Sequence, residues 1–288
     1  MDRAAGVLTV DLGALVENWR ILSRRAAPAR CAAVVKADAY GLGATPVVRA
    51  LLQAGCREFF VALVDEGIRL SQSLGQAWPH DARLHVLHGA SPGAEDDCLA
   101  HDLVPVLNSR DQVTRWQALA RREGRALPAA LQVDTGMARV GLPPSALERL
   151  VGAADGLSGI AMTLVMSHLV HAESPDSAMS RRQLELFRPW RERFPASLGC
   201  LANSAGIFLG SEFHFDLVRP GAALYGVAPV IGQPNPMRQV VRVQASANVV
   251  DDVQDINALA QEARTSAYEI LIGMGSRYRR QYCGDVSL

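Results

Sequence analysis

Apolar and polar positions along this chain alternate between two rhythms. Short apolar runs of the kind that become buried strands recur at Cys31–Lys36, Glu58–Leu63, Leu84–His88, Leu103–Leu107, Ala129–Asp134, Ala161–His168, Leu198–Ala202 and Leu217–Tyr225. Between them lie stretches whose apolar residues repeat every three to four positions. Examples are Ser109–Arg122, with Ser109 or Asp111 as the cap, and Ser177–Arg193. Eight runs with intervening helices predict an α/β protein, a (β/α)8 TIM-type barrel over roughly residues 28–228. A strand Val7–Leu12 and a helix Gly13–Arg25 precede it. Doubly wound sheets share this alternation, so the rhythm alone leaves both architectures open.

Past Pro229 the rhythm changes. A turn-rich segment, Gly232-Gln233-Pro234-Asn235-Pro236, leads into a strand-like run Gln239–Val250 and a helical run Asp255–Arg264. The end carries Tyr278-Arg279-Arg280-Gln281-Tyr282. Two such runs are too few for an independent all-β domain, which needs several strands to bury a face.

Composition narrows the class of protein. The 288 residues are 49% hydrophobic and carry no formal net charge, enough for one large domain and unlike a nucleic-acid or anionic-membrane binder. No apolar run approaches a membrane span, and Met1-Asp2-Arg3 lacks a signal-peptide core. Five scattered cysteines, Cys31, Cys56, Cys98, Cys200 and Cys283, never fall in CxxC spacing. They fit a reduced, cytoplasmic protein with buried thiols and no zinc site.

The densest chemistry lies in Val34-Val35-Lys36-Ala37-Asp38-Ala39-Tyr40-Gly41. Lys36 follows an apolar run, and Gly41 and Gly43 then break the pattern before Thr45-Pro46, which read as the start of a helix. The lysine therefore sits where a barrel strand gives way to its loop, the end at which barrel enzymes do their chemistry. Apolar neighbours make its amine easier to deprotonate than a free lysine, as a Schiff-base amine requires. A solvated loop lysine is the plainer alternative.

Four further motifs fall at predicted strand ends: Val133-Asp134-Thr135-Gly136-Met137-Ala138-Arg139-Val140-Gly141, Met166-Ser167-His168-Leu169, Ala202-Asn203-Ser204-Ala205 and Val218-Arg219-Pro220-Gly221-Ala222. With Lys36–Gly43 this ordered set resembles the alanine racemase family, amino-acid racemases that depend on pyridoxal 5'-phosphate (PLP). The likeness runs from about Leu8 to Pro229 and resumes in Ala263–Arg277, where Thr265-Ser266-Ala267-Tyr268 resembles the family's closing segment.

The resemblance implies that Lys36 holds PLP covalently and serves as one of two acid/base groups at the substrate Cα. It makes Tyr40, Ser204, Gly221, Ala222 and Tyr268 phosphate contacts. A hydroxyl, a glycine that lets backbone approach and free N–H groups do suit an anion. It places Arg219 at the pyridine nitrogen, His168 behind that arginine, Arg139 at the phenolic oxygen, and Asp134 and Asn203 in support. Plainer roles stand beside these. Tyr40 can be a rim aromatic, Asn203-Ser204 a helix cap, His168 a satisfied core residue and Arg139 half of a surface ion pair.

Departures from the family pattern qualify the function. Gln132 stands where many relatives carry a lysine that steadies the arginine matched by Arg139, and Leu42 replaces a usual histidine. The Gly-Tyr-Ala-Asp-Gly-like motif that supplies the family's tyrosine base does not occur, nor does the later Ser-Met-Asp-like strand. The chain is expected to pass from the start of the family's C-terminal β-domain, around Val250, directly to its end, around Asp252. Residues 1–228 then form the PLP-binding barrel with its N-terminal strand and helix, and 229–288 a remnant of the β-domain.

The expected function is PLP-dependent interconversion of L- and D-alanine, supplying D-alanine for peptidoglycan, and impaired by loss of the second base. The family's homodimer is expected to be weakened. The alternatives are a non-catalytic PLP-binding barrel protein and a barrel enzyme without cofactor.

Overall fold

The computed structural model describes residues 6–245. Expectations for Tyr268, Tyr278, Tyr282, Cys283, the helical run Asp255–Arg264 and the closing segment lie outside them.

The strands are β1 Gly6–Val10, β2 Arg30–Cys31, β3 Ala33–Val34, β4 Glu58–Val61, β5 Arg83–Val86, β6 Leu103–Leu107, β7 Leu127–Gln132, β8 Ile160–Met166, β9 Leu198–Cys200, β10 Leu217–Val218 and β11 Val241–Ala245. Strands β3 to β9 form one parallel sheet in chain order. The amide of Asp216 bonds Gly199 O (3.1 Å) and that of Arg219 bonds Ala202 O (2.9 Å), which lays β10 beside β9. On its other side β10 pairs with β2, and the amides of Ala32 and Val34 reach Val218 O and Pro220 O at 2.9 and 3.0 Å. With β2 and β3 as one interrupted strand, the eight strands close into a parallel barrel. This resolves the alternation in favour of the barrel over the open sheet.

The two-residue period of the strands sorts side chains into two cores. Ala32, Val34, Phe60, Val106, Ala130, Leu164, Met166, Cys200 and Leu217 fill the interior. Their neighbours Ala33, Val35, Phe59, Val61, Leu131 and Val165 face the helices instead. Seven helices cover this outer surface: Leu12–Ala26, Ala44–Ala54, Val64–Leu74, Glu95–Ala100, Arg110–Arg122, Pro144–Gly152 and Ala178–Arg193. Ser109 caps the fifth, its Oγ accepting from Gln112 N at 3.2 Å, as the sequence predicts.

Outside the barrel, β1 pairs antiparallel with β11, Val10 opposite Val241. Of the predicted strand Gln239–Val250, Val241–Ala245 is a strand and residues 246–250 lie outside the described residues. The eighth barrel strand is shorter than predicted. It ends at Val218, because Pro220 breaks the ladder and Ala222–Tyr225 curls into a 3-10 turn. Among the described residues no helix is long and apolar enough to cross a membrane.

Candidate active site

Lys36 begins the most unusual backbone of the barrel. Ala37, Asp38, Ala39 and Tyr40 all adopt left-handed helical dihedrals, φ 52–57°. For residues with a β-carbon this conformation costs roughly 1–2 kcal/mol each, so the surroundings must hold it. Glu66 Oε1 accepts from Ala37 N (2.9 Å), Asp38 O from Gly43 N (2.9 Å) and Asp38 Oδ1 from Ala44 N (2.7 Å). The sequence suggested an ordinary strand-to-helix loop. The structure replaces it with a left-handed turn that aims Lys36 and Tyr40 at one cavity.

That cavity, ≈ 550 Å³, opens at the C-terminal ends of the barrel strands. Of the eleven residues given a site role from the sequence, nine line it: Lys36, Tyr40, Arg139, His168, Asn203, Ser204, Arg219, Gly221 and Ala222; Asp134 does not. Tyr268 lies outside the described residues.

The Lys36 amine is pulled below the ordinary lysine range by burial first and then by the nearby charge of Arg139, with Arg219 adding to it and Glu66 opposing. Burial makes the Tyr40 hydroxyl a still weaker acid, at about 12, so it stays a protonated donor. Its ring packs on Tyr225 with centroids 4.7 Å apart.

Arg219 is 4% exposed, and its acceptors are all uncharged. Nη1 donates to Cys200 Sγ (2.9 Å), and Nη2 donates to Ser167 O (3.1 Å) and His168 Nδ1 (3.0 Å). Its guanidinium carbon sits 5.6 Å from the Phe60 ring centroid. Burial, then Arg219, Arg139 and Lys36, push His168 well below the ordinary histidine range. The ring is neutral, which frees Nδ1 to accept from the arginine. Arginine keeps its proton, and with no carboxylate among these acceptors its charge acts on the cavity. His168 is therefore both a satisfied residue and the partner of Arg219.

On the opposite wall Ser204 Oγ accepts from Gly221 N (2.9 Å) and Ala223 N (3.2 Å), gathering backbone donors at the start of the 3-10 turn. A β-carbon on residue 221 would collide with the Tyr40 hydroxyl, so only glycine permits this approach. Asn203 Oδ1 caps the next turn through Gly206 N (2.9 Å), which makes the helix-cap role and the cavity-lining role coexist. Asp134 supports from outside: its Oδ1 accepts from the amides of Gly136, Met137 and Ala138, folding the loop that carries Arg139.

Cavity residues given no role from the sequence include Leu87, His88 and Glu173. The buried groups Glu66 and Gln183 were given none either, whereas Ser167 stood in one of the strand-end motifs and Cys200 among the thiols expected to be buried. Glu66 left a signal, an acidic residue three positions after the helix-capping position Leu63. Chemically, the cavity offers a nucleophilic amine, a fixed cation and a cluster of donors for an anion. Among the described residues no group of three or more His, Cys, Asp or Glu side chains is placed to hold a metal.

Comparison with known proteins agrees with this geometry. Residues 10–229 match the family described as alanine racemase, N-terminal domain. Alanine racemase of Rhodospirillum rubrum is 52% identical over 84% of this chain and 64% of its own length. The catabolic alanine racemase of Agrobacterium fabrum is 48% identical over 84% and 62%. Alanine racemase of Bartonella henselae, solved with covalently bound pyridoxal phosphate, superposes with a TM-score of 0.78 at 40% identity, covering 84% of this chain and 66% of that one. The chain spans slightly less than two thirds of each of these relatives.

Proposed function

The chain belongs to the alanine racemase family, and from that premise we propose that it binds PLP through Lys36 and acts on alanine, as an isomerase whose turnover is impaired. The observation that carries this reading is the convergence of Lys36, Arg219, His168, Arg139, Ser204, Gly221 and Ala222 on one cavity. An amine with a lowered proton affinity suits covalent capture of an aldehyde, and a glycine-limited wall of amides suits a phosphate.

PLP, when bound, supplies an electron-withdrawing ring that lowers the cost of removing the Cα proton. The chain's own residues do the rest. Tyr40, Ser204, Gly221 and Ala222 would hold the phosphate, with Tyr268 as a further contact and Asn203 in support. Arg139 would meet the phenolic oxygen. Arg219 would donate to the ring nitrogen and, since it cannot surrender its proton, would keep that nitrogen unprotonated and restrain electron withdrawal. Lys36 Nζ takes and returns the Cα proton on one face. Racemisation needs a second proton carrier on the other face, and general acid–base catalysis typically contributes about 10²–10⁴-fold. Tyr40 is half-buried and Tyr225 buried, both with hydroxyls pushed up in proton affinity by desolvation, and neither suits that role. The proposed physiological setting is cytoplasmic D-alanine supply for the cell wall, by a homodimer weaker than that of its relatives.

The test is direct. Protein incubated with PLP is expected to gain the absorbance band of lysine-bound cofactor, absent in Lys36→Ala. Deuterium exchange at Cα is expected to be fast for one alanine enantiomer, with slow net interconversion. Interconversion at an ordinary enzymatic kcat, about 1–10³ s⁻¹, overturns the impairment. A cofactor band without any exchange favours the non-catalytic PLP-binding protein.

A further inference from the structure

Strand β8 ends at Met166, yet Ser167 and His168, the two residues that accept from Arg219 Nη2, lie beyond it. Past the strand end their segment needs another support. Gln183, on the helix Ala178–Arg193, is wholly buried, and two of its three hydrogen bonds go there. Its Nε2 donates to His168 O (2.8 Å) and to Thr135 Oγ1 (3.1 Å), while its Oε1 accepts from Val170 N (3.0 Å). Thr135 Oγ1 in turn lies 2.7 Å from Ser167 Oγ. The segment carrying His168 is therefore held by the Gln183 amide, beside the bonds of Ser167 N to Cys200 O (3.1 Å) and of Asn203 Nδ2 to Leu169 O (3.1 Å), and presents Ser167 O and the His168 ring to the arginine.

We propose that Gln183 is a positioning residue: it fixes the backbone and the ring orientation of His168, and through them the aim of Arg219 at the group held in the cavity. An amide is the side chain that fits, since it donates at one end and accepts at the other. Glutamate keeps the acceptor for Val170 N and loses the donor to His168 O. Methionine, of similar shape, loses both. Each leaves buried backbone groups without a partner. The claim rests on the proposed PLP site only for the identity of the group that Arg219 meets.

The test compares Gln183→Met and Gln183→Glu with Gln117→Met. Gln117 is a buried glutamine on another helix, and its Nε2 donates to Asp155 O (2.7 Å) and Ser158 O (3.1 Å), away from the cavity. Gln117→Met thus controls for general loss of buried bonds. Nitrogen NMR of the histidine rings in cofactor-free full chain, with His168 assigned by its own substitution, reports the tautomer. Wild type and Gln117→Met are expected to show one fixed Nε2-protonated form. Gln183→Met is expected to show averaging of both forms, and Gln183→Glu an intermediate state. PLP affinity, read by fluorescence titration, is expected to fall at least tenfold in Gln183→Met and under twofold in Gln117→Met. If Gln183→Met does not fold, Thr135→Val, which cuts the link to Ser167, carries the same expectation. A single unchanged His168 tautomer in the folded variant overturns the proposal. If wild type binds no PLP, the function proposed above fails while the tautomer result still decides this one.

Discussion

Glu66 accepts a hydrogen bond from the amide of Ala37, the residue directly after the lysine, at 2.9 Å. The same carboxylate bonds the amides of Ala62 and Leu63 at 2.7 and 3.4 Å, at the start of its own helix. One buried acid thus ties the end of β4 to a left-handed turn that residues with side chains do not adopt unaided. A single bond to a charged acceptor contributes about 1.5–3 kcal/mol, and neighbouring bonds do not add fully. Glu66→Ala is expected to cost about 2–4 kcal/mol in urea unfolding and to slow covalent attachment of PLP. A loss below about 0.5 kcal/mol would show that the turn holds itself.

Much of this site was legible before any coordinates. Eight apolar runs pointed to a parallel sheet with helices, because parallel strands buried on both faces must be apolar throughout, but they did not by themselves separate a barrel from a doubly wound sheet. The nine cavity residues came from the motifs that carry the resemblance to the family. The left-handed turn did not, since Ala37-Asp38-Ala39 carries no glycine to announce it and the brace comes from Glu66, 29 residues away. Gln183 was invisible for a related reason. It sits on an amphipathic helix, where one buried amide looks like any other polar residue until its three partners are known.

The Lys36 amine offers a pH test. Its proton affinity is lowered in the folded chain, so the native state binds fewer protons than the unfolded one between the lowered value and the ordinary lysine pKa of about 10.4. Stability therefore rises with pH through that window, and the cost of the buried charge is full below it. Lys36→Met is expected to remove this slope. Arg139 is the larger of the two cationic contributors. Arg139→Gln should then shift the midpoint of PLP attachment to higher pH, measured as initial rate against pH. A midpoint that stays put or falls would remove Arg139 from the account.

The close approach of Gly221 to the Tyr40 hydroxyl predicts a paired effect. Gly221→Ala is expected to weaken PLP binding at least tenfold, about 1.4 kcal/mol. Tyr40→Phe in that background removes the clashing oxygen, so the double variant should lose less than the two single losses combined. Simple additivity in fluorescence titration would mean that the contact does not shape the site.

Beneath Arg219 the barrel floor is polar, which makes a last prediction about what the site stands on. His85 and Glu58 are both buried, with Nε2 and Oε2 2.8 Å apart, and His85 stacks on Phe60 at 4.5 Å. Phe60 in turn faces the guanidinium of Arg219. Arg30 reaches the other Glu58 oxygen only at 3.8 Å, from an exposed position. Replacing His85 alone by phenylalanine leaves a carboxylate in the barrel without its close partner, and the expected cost is about 3–5 kcal/mol. Replacing both, Glu58→Leu with His85→Phe, removes the stranded charge and should recover most of that loss, because apolar layers are the usual filling of such barrels. Denaturant unfolding of the two variants separates the cases. A double variant no more stable than His85→Phe would show that the pair is held for more than its own neutralisation.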